Sequence, residues 1–268
     1  MLVSGMQGII LLDAVWLSVY YKAHNLKQSG IVMRMRRKPN LELRFEQCAA
    51  VLAENPEEYR GQWLKKYGQY RHLYLEIGCG KGKFTVETAR SNPDTLFVAV
   101  EKVQSALVMA MERAQKNGVG NIVFIDCDAA NIASVFAHGE VERIYLNFCD
   151  PWPKSRDAKF RLTAPSFLRS YADILAANGV ICFKTDNTPL FTWSVGILQE
   201  EGWHLQAVTN DLHHDGPQGV MTDYEERFYQ QGLPINRLEA VKTAEVKTCA
   251  DGTPPRLRNA ALSDARNC

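Results

Sequence analysis

The chain has 268 residues, 46% of them apolar, enough to fill the core of one large α/β domain and too many for a disordered protein. Its 31 basic and 30 acidic residues leave a formal charge of +1, so no overall field gathers a polyanion and any nucleic-acid surface must come from local clusters. Seven scattered cysteines without a C-x-x-C pair exclude a zinc ribbon or a small disulfide framework and suit reduced thiols in the cytoplasm.

Residues 8–21 (GIILLDAVWLSVYY) are apolar but too short to span a bilayer, are interrupted by Asp13, and follow no basic segment of the signal-peptide kind. Residues 1–32 are therefore expected to be a non-core extension, without a membrane span, and the domain to run over 33–243. Its opening, MRMRRKPN, concentrates Arg34, Arg36, Arg37 and Lys38. The stretch NPEEYRGQWLKKYG (55–68) predicts a helix with Pro56 in its first turn. From His72 onward, apolar and β-branched runs alternate with helical patterns. The runs are His72–Ile77, Thr95–Val100, Asn121–Ile125, Arg143–Asn147, Gly179–Lys184, Trp203–Thr209 and Ile235–Ala240. This βαβ order predicts an α/β fold, a seven-stranded, mostly parallel sheet with helices on both faces. The helix after Glu101 places Val103, Ala106, Leu107, Ala110, Met111 and Ala114 on one core-facing stripe. His213 and His214, in the polar loop DLHHDGPQG, lack an identifiable third ligand and read as a solvated or structural pair, so no metal site is expected. From Ala244 to Cys268 periodicity fades, and a loose, disordered tail is expected.

The chemistry-bearing residues lie at the strand ends. The first strand runs into Glu76-Ile-Gly-Cys-Gly-Lys-Gly, with Gly78, Gly80 and Gly82 giving a turn that lets backbone approach a ligand. Dinucleotide sites and ligand-free tight turns also use such glycines. Glu76, ahead of the first glycine, would repel a diphosphate but attract an ammonium. Glu101 closes the second strand, where a carboxylate can accept from both hydroxyls of a ribose, and Asp128 follows the third, where an adenine amino group could donate to it. Each acid singly could equally be a helix cap or a solvated loop group. Together they suit S-adenosylmethionine, which carries ammonium, ribose and adenine but no phosphate.

The fourth strand leads into NFCDPWPKSR (147–156): Asp150, then Trp152 stiffened by Pro151 and Pro153, then basic groups. Trp152 is open to two readings, a loop anchor or a contact for a planar base. Lys154, Arg156, Lys159 and Arg161 against the single Asp157 suit a passing RNA backbone; a charged surface loop without a partner is the plain alternative.

LEIGCGKG, NFCDPWPKSR, KTDN (184–187) and TDYEERFYQQG (222–232), in this order, resemble the bacterial-type tRNA (guanine-N7)-methyltransferases, over roughly Met33 to Val241. The resemblance implies a Rossmann-like class I methyltransferase fold, S-adenosylmethionine as methyl donor, and a guanine of the tRNA variable loop as acceptor. It implies that Asp150 is the catalytic and a cofactor-binding residue beside Glu76, Gly78, Gly80, Glu101 and Asp128. Lys154 is then a substrate contact, Arg156 to Arg161 an RNA-contacting segment, and Asp186 with Thr222, Asp223, Tyr224 and Glu225 the guanine site. Carboxylates suit the adjacent N1–H and 2-amino donors of guanine, though Asp186 and Glu225 could also be helix caps. The chain departs from the family pattern at Cys149, Ser155, Asp157, Ala158 and Phe160, where serine and basic residues are usual. Weaker RNA affinity at that loop is the expected consequence. Methylation of an exocyclic amino group, and non-catalytic RNA binding, are the competing readings; no obligate protein partner is evident.

Overall fold

The computed structural model describes residues 40–249, which fall within one compact unit. The stretches 1–32 and 250–268, and the cluster Arg34, Arg36, Arg37 and Lys38, lie outside the described residues. In chain order the elements are α1 (Leu41–Gln47), α2 (Trp63–Lys66), β1 (His72–Ile77), α3 (Lys83–Ser91), β2 (Thr95–Glu101), α4 (Gln104–Lys116), β3 (Ile122–Asp126), α5 (Ile132–Val135), β4 (Val141–Asn147), α6 (Pro165–Ile174), β5 (Leu175–Thr185), α7 (Thr188–Glu200), β6 (His204–Thr209), α8 (Asp223–Gln230) and β7 (Asn236–Val241).

The strands form one seven-stranded sheet in the order β3-β2-β1-β4-β5-β7-β6, parallel except for β7, which runs against both neighbours. The order reverses between β1 and β4, and in such sheets the ligand crevice opens beyond the carboxyl ends of the strands at that reversal. β1 and β2 send alternate side chains to opposite faces, as the pleat requires. Leu73, Leu75, Ile77, Leu96, Val98 and Val100 join a core with side chains of α2, α5, α6 and α7 on one side, and Phe97 and Ala99 meet α3 and α4 on the other. Glu76 therefore faces α3 from within an otherwise apolar strand.

Three local expectations change. The helix expected over 55–68 is a single 3-10 turn, Pro56–Tyr59, followed by the one-turn α2, because Gly61 adopts φ +74° between them. Val103 is 41% exposed and precedes α4 as its N-cap, while Ala106, Leu107, Ala110, Met111 and Ala114 are buried as the stripe predicts. Beyond 243 the chain is still packed through 249: Val246 joins the core, Lys247 N–H donates to the Glu201 carbonyl at 3.1 Å, and Cys249 N–H to Asp173. Among the described residues no helix is long and apolar enough to cross a membrane.

Candidate active site

Glu76 and Asn147, the ends of β1 and β4, meet at the reversal point: Asn147 Nδ2 donates to Glu76 Oε1 at 3.0 Å, and Thr85 Oγ1 of α3 donates to Oε2. Glu76 is 2% exposed. Burial raises its carboxyl above the ordinary value, against the lowering effect of these two hydrogen bonds and of the Lys184 charge. Because the Glu76 carboxylate takes the amide N–H of Asn147, the Asn147 Oδ1 is left buried without a partner. A carboxylate held in low dielectric beside an unpaired acceptor calls for a cationic N–H donor.

The turn above these groups divides its glycines between two tasks. Gly78 (φ +79°) and Gly80 (φ +57°) face open space, where an added Cβ would touch nothing within 4 Å. Gly82 (φ +74°) is a packing position, since a Cβ there would lie 2.7 Å from that of Ala110 on α4. Glu101 ties the turn to the next strand, its Oε2 accepting from Gly80 N–H at 3.0 Å and its Oε1 from Val103 N–H at 2.9 Å. Each oxygen keeps a second lone pair for a hydroxyl donor. Asp128 does cap a turn, accepting from Ala130 N–H at 3.0 Å, while its Oδ2 lies 3.7 Å from Lys102 Nζ at the surface.

Beyond β4 and β5 stand two carboxylates, Asp150 and Asp186, that make no hydrogen bond or ion pair with a described residue. Burial of the Cys149 sulfur, with the Asp150 and Asp186 charges behind it, pushes that thiol up to about 12. Cys149 is therefore a neutral thiol at physiological pH and no nucleophile, although it adjoins Asp150. The loop that carries Asp150 is bent at two left-handed residues, Phe148 (φ +53°) and Trp152 (φ +42°). Trp152 leans on Phe160 at 5.3 Å. Lys154, Arg156 and Lys159 are exposed. Arg161 is half-buried, turns inward to the carbonyls of Pro151 and Trp152, and stacks over the Trp193 ring of α7.

The segment 222–230 forms the remaining wall. Thr222 and Glu225 make a reciprocal capping box, and Glu225 is completely buried. Its Oε2 accepts from Lys184 Nζ at 2.6 Å and from Thr222 N–H at 3.1 Å, and its Oε1 lies 3.1 Å from His213 Nε2. Since His213 Nδ1 accepts from Gln218 N–H at 3.1 Å, the ring proton sits on Nε2 and the imidazole is neutral. His213 is thus a structural histidine, while His214 is exposed. Asp223 pairs with Arg113 of α4 at 3.0 Å and Glu226 with Lys83 of α3 at 2.7 Å, and Phe228 stacks on Phe148. Tyr224 is exposed. Asn147, Thr85, Lys184 and His213 were not singled out as site residues by sequence reasoning; the first and third lie inside quoted motifs, but what they touch depends on tertiary pairing. Among the described residues no group of three or more His, Cys, Asp or Glu could hold a metal ion.

A family model described as "Putative methyltransferase" matches residues 70–238. The tRNA (guanine-N(7)-)-methyltransferase of Bacillus cytotoxicus is 40% identical over 209 residues, 78% of this chain and 96% of that protein. That of Lachnoclostridium phytofermentans is 41% identical over 215 residues, 80% of this chain and all of its own length. The chain belongs to the tRNA (guanine-N(7)-)-methyltransferase family. As a member, it is a methyltransferase dependent on S-adenosylmethionine. In fold, it superposes on the solved 16S rRNA methyltransferase KamB with a TM-score of 0.53 at 18% identity, covering 68% of this chain and 93% of that one. The family's class I, Rossmann-like architecture is thus the one found here. The donor set fits the cofactor: an unpaired buried acceptor beside Glu76, two glycines facing open space, and Glu101 at the end of β2.

Proposed function

We propose that this protein transfers the methyl group of S-adenosylmethionine to N7 of a guanine in tRNA, the variable-loop guanine by family resemblance, and that it does so in the cytoplasm. The observation that carries this reading is the pairing of Glu76 with Asn147 at the sheet reversal, because it leaves a desolvated carboxylate and an unpaired Asn147 Oδ1 where an ammonium would fit. When bound, the cofactor supplies an electrophilic sulfonium methyl. Glu76 and Asn147 would hold its ammonium, the backbone at Gly78 and Gly80 would lie along it, Glu101 would accept from the ribose, and Asp128 from the adenine amino group. Asp150, its carboxylate unpaired among the described residues at the mouth of β4, would border the methyl acceptor as well as the cofactor.

Asp186 and the exposed Tyr224 would flank the guanine, with Thr222, Asp223 and Glu225 fixing the wall that carries Tyr224. Lys154, Arg156 and Lys159 would meet RNA phosphates. Incubating the purified protein with unmodified tRNA and labelled S-adenosylmethionine, then digesting to nucleosides, tests the reading. Label in 7-methylguanosine is expected. Label on an exocyclic amino group would move the assignment to the competing chemistry, and no label together with no calorimetric binding of the cofactor would leave an RNA-binding protein.

Glu101→Ala is expected to weaken cofactor binding by about 10- to 150-fold, the loss of charge-assisted hydrogen bonds of about 1.5–3 kcal/mol. Affinity equal to wild type in titration calorimetry would remove Glu101 from the ribose site.

A further inference from the structure

We infer that Arg161 positions the Asp150 loop for methyl transfer and is no phosphate contact, although it stands in a run of basic residues. Its guanidinium makes three hydrogen bonds to two consecutive carbonyls: Nε to Pro151 O at 3.0 Å, and Nε and Nη2 to Trp152 O at 3.3 and 3.0 Å. The planar cation also lies over an indole, its Cζ 4.4 Å from the centroid of the Trp193 ring. No carboxylate among the described residues pairs with Arg161, and the hydrogen bonds that its Nε and Nη2 make among those residues all go to the loop. Its neighbour Arg156 differs: with 78% of its side chain exposed, it has only Asp157, at 3.9 Å, as an ionic partner among the described residues.

The loop needs such a clamp. Trp152 is held at φ +42°, a conformation that L residues with a Cβ adopt only when their surroundings impose it. The carbonyls that Arg161 grips belong to the two residues that follow Asp150. Fixing the Pro151 and Trp152 carbonyls fixes the exit of the chain from Asp150, and with it the direction of a carboxylate that makes no hydrogen bond of its own with the described residues. A lysine cannot replace this grip, because one ammonium cannot span two carbonyls in plane and also stack on an indole.

The inference rests on the assignment of Asp150 to the transfer step. Arg161→Ala, Arg161→Lys and Asp150→Asn are therefore assayed together, by single-turnover transfer at saturating tRNA, by calorimetry with S-adenosylmethionine, and by the salt dependence of tRNA binding. Both Arg161 variants are expected to transfer about 100-fold more slowly, the scale of an ångström-size misplacement of a reacting group. Cofactor affinity should stay within about twofold, and the log–log salt slope should not change. Millimolar guanidinium should partly restore the alanine variant and leave the lysine variant slow.

A salt slope lower by roughly 0.7–0.9 with a wild-type saturating rate would make Arg161 a phosphate contact and overturn the inference. Equal losses in rate and cofactor affinity would reduce it to a general fold contact and overturn it too. Should the alanine variant not fold, Trp193→Leu removes only the stacking platform; the same split between rate and affinity is expected, and a wild-type rate would refute the clamp. A wild-type rate in Asp150→Asn would sink the parent assignment, whereas a slow Asp150→Asn beside fast Arg161 variants would sink this inference alone.

Discussion

Asp150→Asn is expected to slow single-turnover methyl transfer by about two to three orders of magnitude, the range found when one preorganised electrostatic group is removed from a reaction centre. Cofactor affinity should change by less than about tenfold, because on the proposed reading Glu76 and Glu101 would still hold the ammonium and the ribose. The reason lies in where charge travels. In-line attack by N7 on the sulfonium methyl moves the positive charge from sulfur onto the purine, and the Asp150 carboxylate, unpaired among the described residues at the mouth of β4, would favour that developing charge. N7 offers a lone pair and carries no proton at neutral pH, so the step needs placement of the ring and no base. With chemistry limiting, the wild-type rate should be nearly flat between about pH 6.5 and 8.5, where a required base titrating in the neutral range would give a slope. A tenfold rise per pH unit across that window, absent from the Asn variant, would mean that a proton is removed, and that either the role of Asp150 or the choice of N7 is mistaken.

What the sequence made legible follows from how local each signal is. The strands β1 to β5 were readable because buried parallel strands are continuous apolar runs, whereas β7 alternates and the edge strand β6 is largely exposed; the observed boundaries differ from the expected ones mainly by where ladders extend, as at β5, which begins at Leu175. Glu76, Glu101 and Asp128 stood out because all three acids fall at or just after the ends of consecutive strands, beside a glycine-rich turn. Arg161 did not stand out. In sequence it is one basic residue among several, and its inward turn depends on Trp193, brought alongside by the packing of α7. The capping box T-x-x-E at Thr222 and Glu225 is readable in sequence, yet nothing local says that Glu225 is also the anion for Lys184 at the end of β5. Both the guanine-site reading and the cap reading of Glu225 were open in sequence; in the fold both of its oxygens are engaged by protein groups. That observation favours a role in holding the wall over direct contact with a base.

Glu225→Gln is accordingly expected to cost about 3–5 kcal/mol of folding stability, the range for removing one partner of a buried ion pair. For a domain of this size that corresponds to a fall in melting temperature of roughly 6–20 °C. The carboxylate is completely buried and meets donors from three directions, Lys184 Nζ, His213 Nε2 and Thr222 N–H. A glutamine amide has one acceptor oxygen and one NH2. Whichever way it turns, the NH2 opposes either the Lys184 ammonium or the His213 N–H, and Lys184 loses the Glu225 charge while keeping the Val220 carbonyl at 3.1 Å and the Phe84 ring. Lys184→Met should be destabilising on its own, since it strands the Glu225 charge, but should cost much less when added to Glu225→Gln, because the unpaired charge is then gone; the double-mutant cycle in urea measures that coupling. Because Glu225 anchors the segment that carries Tyr224, Glu225→Gln should also weaken tRNA binding at temperatures where the protein is still folded. Additive losses in the cycle, or a Glu225→Gln variant as stable as wild type, would mean that the pair is solvated in solution and does not hold this wall in place.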